Sequence, residues 1–149
     1  MLKHRSRGRR PQVTFAAGFH ELIQGDLVPG PCVLRYDPWR IVPASEILNL
    51  PQSQRPIHAH INFHPVGGCW EGELRFRPGV TIDPIHDPTS QEVMIEGEFL
   101  LPAGCEELEC WFSYADTFGQ THWDSSMGAN FRLRFPSHDL RLLRGEIVK

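Results

Sequence analysis

From Ile57 to Phe63 every second residue is apolar (Ile57, Ala59, Ile61, Phe63), and the residues between them, His58, His60 and Asn62, are polar. A period of two suits a strand with one face in a core and the other in water, and it suits no helix. The pattern recurs along the chain. Val13, Phe15, Ala17 and Phe19 are predicted to share one face of a first strand. Cys32, Leu34 and Tyr36 point inward on a second, with Val33 and Arg35 outward, and Asp37-Pro38 ends it. Ile57 to Phe63 is the third, and Gly67-Gly68 turns the chain into a fourth that buries Trp70, Leu74 and Phe76 against outward Glu71, Glu73, Arg75 and Arg77. Val93, Ile95 and Phe99 mark a fifth, Leu108, Cys110, Phe112 and Tyr114 the inner face of a sixth. Phe131, Leu133 and Phe135 alternate with Arg132 and Arg134 on a seventh. The predicted fold class is therefore all-β: an immunoglobulin-like antiparallel β-sandwich of about seven strands.

Thirteen glycines and thirteen prolines agree with this, since each disrupts a helix interior. At 149 residues the chain suits one domain, and the expected division is a disordered basic tail at 1–11, the sandwich at 12–136 and a C-terminal extension at 137–149. For the extension, a short helix and an extra edge strand both remain open. Residues 43–56 read as a connecting loop with one helical turn, and residues 77–90, with three prolines, as a second loop.

Charge is unevenly placed. Residues 1–10 hold Lys3, Arg5, Arg7, Arg9 and Arg10 and no acid, leaving 10 basic against 18 acidic residues in the rest, a net charge of −8. An acidic body argues against nucleic acid as the main ligand. No apolar run is long enough to cross a bilayer, and the N-terminus lacks the apolar stretch of a signal peptide, so no membrane partner and a cytoplasmic location are expected. Cys32, Cys69, Cys105 and Cys110 have no C-x-x-C spacing, which removes zinc-ribbon readings. Cys32 and Cys110 should both face the core. An inter-sheet disulfide is one reading of them; buried thiols are expected in a cytoplasmic protein.

His58, His60, Asn62 and His64 recur at every second position, so they project from one side of the third strand. Imidazoles at this spacing begin many metal sites. No carboxylate in the sequence is specified to complete one, and His64 is too far along a straight strand to join His58 and His60. The row is expected to be a hydrogen-bonding face, with no metal and no cofactor. Trp111 lies on the outward side of the sixth strand with Glu109 and Ser113, where an indole offers a flat apolar plate to a sugar ring, a peptide or a second subunit. Trp39 and Trp70 are loop-adjacent alternatives. His122 and Asp124 form an H-x-D pair like that of non-haem iron oxygenases, but such enzymes need a barrel and a distant third histidine, for which His138 is the only downstream candidate. No G-x-S-x-G, phosphate loop or dinucleotide fingerprint is present, so the chain is not expected to be an enzyme.

The segment FSYADTFGQTHWDSSMGANFRLRF, Phe112 to Phe135, resembles the C-terminal signature of starch- and glycogen-binding modules. These occur in starch synthases, amylases and glycogen-targeting subunits of protein phosphatase 1, and their signature reads W-D-N-N-N-G-x-N-Y. Trp123, Asp124, Gly128 and Asn130 match, and Phe131 replaces the tyrosine. Upstream, GDLVPGPCVLRYDP and IHAHINFHPVGGCW are similar to the opening strand and the ligand-side turn of such modules. The resemblance implies a non-catalytic module binding a glucan or another glycan through Trp111, Trp70, Trp39, His60, Asn62, His64, Asp124 and Asn130. Three signature asparagines have become Ser125, Ser126 and Met127, while Asp124, Gly128 and Asn130 can still cap the loop. That loss of ligand-reading amides motivates the alternative, a protein-interaction or homo-oligomeric assembly module on the same sandwich.

Overall fold

Strand β1 (Gln12–Ala16) opens a hairpin with β2 (His20–Gln24), and the chain continues through β3 (Gly30–Tyr36), β4 (Ile57–His64), β5 (Cys69–Leu74), β6 (Ile95–Leu101), β7 (Glu107–Ala115), β8 (Thr121–Asp124) and β9 (Phe131–Arg134). This computed structural model describes residues 10–18, 20–76, 82 and 94–135. One sheet has the order β2-β1-β3-β6 and the other the order β5-β4-β7, with β8 and β9 both lying along the far edge of β7. Neighbours are antiparallel except β1 and β3, which are parallel. The protein is a β-sandwich. Among the described residues no helix is long and apolar enough to cross a membrane.

The inward positions read from the alternation form the core. Cys32, Leu34 and Tyr36 on β3 are buried, as are Ile57, Ala59, Ile61 and Phe63 on β4, and Leu108, Cys110, Phe112 and Tyr114 on β7. Phe15 meets Phe112 at 4.8 Å and Phe131 at 5.3 Å between ring centroids, both edge to face, which ties the two sheets together. Trp70 also faces inward. Its indole lies over Gly72, where an added Cβ would sit 2.4 Å from the ring, and approaches Phe99 at 5.9 Å. Only a glycine leaves room for the ring there. All four cysteines are free thiols. Burial pushes the Cys32 thiol up to about 11, and it also raises Cys110, so both behave as small apolar core residues.

The structure departs from the sequence expectation in four places. The first strand stops at Ala16, because Gly18, at φ 81°, turns the chain into β2. Strands β2 and β8 bring the total to nine rather than about seven; both are mostly polar and lie at sheet edges, where alternation is weakest. Arg35 is outward yet only 8% exposed, its guanidinium 3.0 Å from Glu96 on the neighbouring strand. Residues 43–56 hold two short helical turns, Ala44–Ile47 and Leu50–Ser53, which bury Ile47 and Leu50 at one end of the core. Residues 1–9, Phe19, Arg77, Val93, most of the 77–90 loop and the extension at 137–149 lie outside the described residues.

After β3, Asp37 caps a single 3-10 turn, Pro38–Arg40, by accepting from the Trp39 N–H at 2.9 Å. That turn drives the Arg40 side chain fully inside, within 5.1–5.7 Å of the Phe15, Tyr36 and Phe131 rings. Arg40 Nε donates to Asp124 Oδ2 at 2.8 Å, Nη1 donates to the Ala16 carbonyl at 2.8 Å, and the Tyr36 hydroxyl donates to the same Asp124 oxygen at 2.5 Å. Burial, then the Asp124 charge, raises the Tyr36 pKa well above the ordinary phenol value, which keeps it a donor. One buried network thus fastens β8 to β1 and β3.

Candidate functional site

The outer face of the second sheet gathers most of the polar and aromatic residues singled out in the sequence. Register fixes who meets whom. On this face His60 of β4 lies between Glu71 of β5 and Trp111 of β7; Asn62 lies opposite Glu109, and His64 opposite Glu107. Ser113 stands between His58 and Trp123, and Glu109 and Glu107 face Arg132 and Arg134 of β9.

His60 and Trp111 stack, with centroids 5.2 Å apart and planes within 5°. The stack holds the indole against the imidazole and contributes roughly 0.5–1.5 kcal/mol beyond its area. Trp123 is 6.5 Å from His60, tilted by 36°, and is 61% exposed. Trp111 also stands beside a gap. Strand β8 ends with Asp124 opposite Phe112 and β9 begins with Phe131 opposite Cys110, so no residue of the outer strand lies opposite Trp111. The residues of that missing rung, 125–130, form a loop. The outer strand is thus interrupted at this point, with Trp123 and Asp124 before the break and Phe131 and Arg132 after it.

Asn130 is held in the left-handed region at φ 63°, its N–H donating to the Ser125 carbonyl at 2.6 Å. Its side-chain amide donates to Glu109 Oε2 at 2.7 Å, while His64 and Asn62 reach Glu109 Oε1 at 2.7 and 3.4 Å. These bonds, the Asn130 one first, pull the Glu109 carboxyl down to about 2. Arg132 and Arg134, which contact Glu107 at 2.5 and 2.8 Å, hold its carboxyl below the ordinary value. Because Glu109 is held below its ordinary value of 4.5, the stabilisation it brings is complete above that pH. It fades as pH falls from about 4.5 towards about 2. Acid titration followed by circular dichroism is therefore expected to reveal a loss of stability in that window, which Glu109→Gln makes shallower.

The loop itself is strained. Ser126 and Met127 sit at φ 51° and 57°, a region that disfavours any side chain except those of Asn and Asp. These two are positions where the starch-module signature has asparagine. Met127 is fully exposed, so its side chain gives nothing back. Met127→Gly is expected to raise stability by roughly 1 kcal/mol, read from a chemical-denaturation midpoint at unchanged slope.

The remaining candidates lie elsewhere. Trp70 is a core residue on the inner face, and Trp39 packs against the core from the 3-10 turn, so neither joins Trp111. Asp124 does not cap the loop; it is 7% exposed and spent on Tyr36 and Arg40, and Ser125 supplies the loop's acceptors instead. Trp123, missed as a site residue, lies outward opposite Ser113, and it is the pairing of β8 with β7 that puts it there. Among the described residues no three His, Cys, Asp or Glu side chains converge as a metal ion would need. His60 Nε2 lies 3.4 Å from Ser113 Oγ and Nδ1 lies 3.2 Å from Glu71 Oε2, the order of a nucleophilic triad. Ser113 is mid-strand and paired on both sides, so the neighbouring amides belong to the ladder and do not form an oxyanion hole. No family model, curated protein or solved structure matches this chain.

Proposed function

We propose that the protein is a non-catalytic carbohydrate-binding module whose binding face is the outer surface of the β5-β4-β7 sheet, centred on Trp111. The observation that carries this is the Trp111–His60 stack beside an exposed Trp123 at a break in the sheet edge. A sugar ring offers C–H groups to an indole face and hydroxyls to amides and carboxylates at its rim. Asn62 and Asn130 stand beside it in fixed positions because Glu109 holds both of them. Binding groups that are pre-positioned lose less entropy when the ligand arrives. The test is retardation in native gels containing soluble starch, glycogen, xylan or chitin oligomers. Retardation by at least one of them is expected, and migration unaltered by all of them would contradict the reading.

A second reading, a protein-interaction module, has its own observation. Phe118 is 90% exposed at the tip of the β7–β8 hairpin, and that tip is rigid. Asp116 Oδ1 accepts from the Phe118 and Gln120 N–H groups at 2.9 Å, while Oδ2 meets His122 at 2.8 Å. Glu46 holds Tyr114 and Thr117 from the side. A rigid exposed aromatic is the kind of anchor that protein interfaces use. Multi-angle light scattering distinguishes this reading: a discrete oligomer that Phe118→Ser dissociates favours it, and a strict monomer disfavours it.

A further inference from the structure

The charges around the Trp111 platform differ in how far they are already spent. Arg132 and Arg134 both contact Glu107, Arg75 contacts Glu73, and Glu109 is filled by Asn130, His64 and Asn62. Glu71 stands apart. It has no arginine beside it among the described residues, its side chain is 69% exposed, and its contact on the face is the His60 Nδ1 edge at 3.2 Å, which is not aligned as a hydrogen bond. The arginines of this face are each beside a glutamate that offsets their charge, so they attract an anionic glycan less than free cations would. A ligand bearing a positive group finds an exposed carboxylate waiting at Glu71, on the same face as the Trp111 indole but across His60 from it.

The spacing suits an oligosaccharide. Glu71, His60 and Trp111 are successive cross-strand neighbours, so Glu71 and Trp111 are about 10 Å apart at two strand steps. A chain with one ring seated on Trp111 therefore crosses His60 and reaches Glu71 with a later ring or its substituent. We infer that this face selects glycans carrying free amino groups, of the glucosamine type, over their neutral counterparts and against uronate-containing ones, with Glu71 the selecting residue. This rests on the carbohydrate-binding reading above.

The experiment compares a glucosamine oligomer with its fully N-acetylated form and with a galacturonate oligomer of equal length, by isothermal titration at low salt. The free-amine oligomer is expected to bind about threefold to fivefold more tightly than the acetylated one, the advantage of one exposed ion pair, and the galacturonate oligomer more weakly than either. Glu71→Gln is expected to bring the amine and acetylated oligomers to within about twofold of each other. Equal affinities in the wild-type protein, an unchanged preference in Glu71→Gln, or a preference for galacturonate would each overturn the inference. Trp111→Ala guards against attraction to the acidic body as a whole: amine binding that survives it would also overturn the inference. Binding of none of the three oligomers, nor of starch, glycogen or xylan, would remove the carbohydrate reading itself. Binding of the neutral oligomers without an amine preference would remove only the selectivity.

Discussion

Arg40→Ala is expected to destabilise the protein by about 3–5 kcal/mol, because it leaves a buried carboxylate without its cation. Asp124 is 7% exposed and accepts from both Arg40 and Tyr36 through one oxygen. Removing the guanidinium strands that charge among the Phe15, Tyr36 and Phe131 rings and empties the space that the side chain filled. The Ala16 carbonyl loses its donor as well. Asp124→Ala should be nearly as costly, since it strands Arg40 instead. The double variant should cost clearly less than the two losses added, because neither partner then remains unpaired. Equilibrium denaturation of the three variants measures this. Strictly additive losses would mean that the two residues act separately, and that the network does not fasten β8 to β1 and β3.

The same residues bear on what could be read from the sequence. The inner faces of β3, β4 and β7 were legible because each alternates cleanly between a core and a polar surface. The second and eighth strands were not: HELIQ and THWD carry few apolar residues, and their pairing partners, rather than their own pattern, make them strands. The His60, Asn62, His64 row and Trp111 were read as outward, and the sheet does bring them to one face; what alternation could not supply was register. Only register puts His60 opposite Trp111, and only the split between β8 and β9 interrupts the outer strand beside it. Asp124 was placed in the loop because it follows Trp123 in the signature. Its partners, Tyr36 and Arg40, are 88 and 84 residues away in sequence, a distance over which no local pattern operates.

The second large effect concerns binding. A tryptophan at the centre of a small site supplies the apolar plate on which a ring rests, and its loss there costs on the order of 2 kcal/mol, about 30-fold in affinity. Trp111→Ala should therefore reduce glycan affinity by at least that factor. Its effect on the core should be slight, since Trp111 lies on the outer face against His60 and not among the residues between the sheets. His60→Ala should act in the same direction but less strongly, by releasing the indole from its stack.

The most direct measurement sets Trp111→Ala against Trp39→Ala, the tryptophan that the sequence puts forward and one of its loop-adjacent alternatives. Trp39 packs against the core from the 3-10 turn and has no place on the outer face. Each variant is titrated with the polysaccharide that retards the wild-type protein most, at a temperature where all three remain folded by circular dichroism. Affinity lost in Trp111→Ala and retained in Trp39→Ala is the predicted result. Affinity retained in Trp111→Ala and lost in Trp39→Ala would contradict the placement of the binding face.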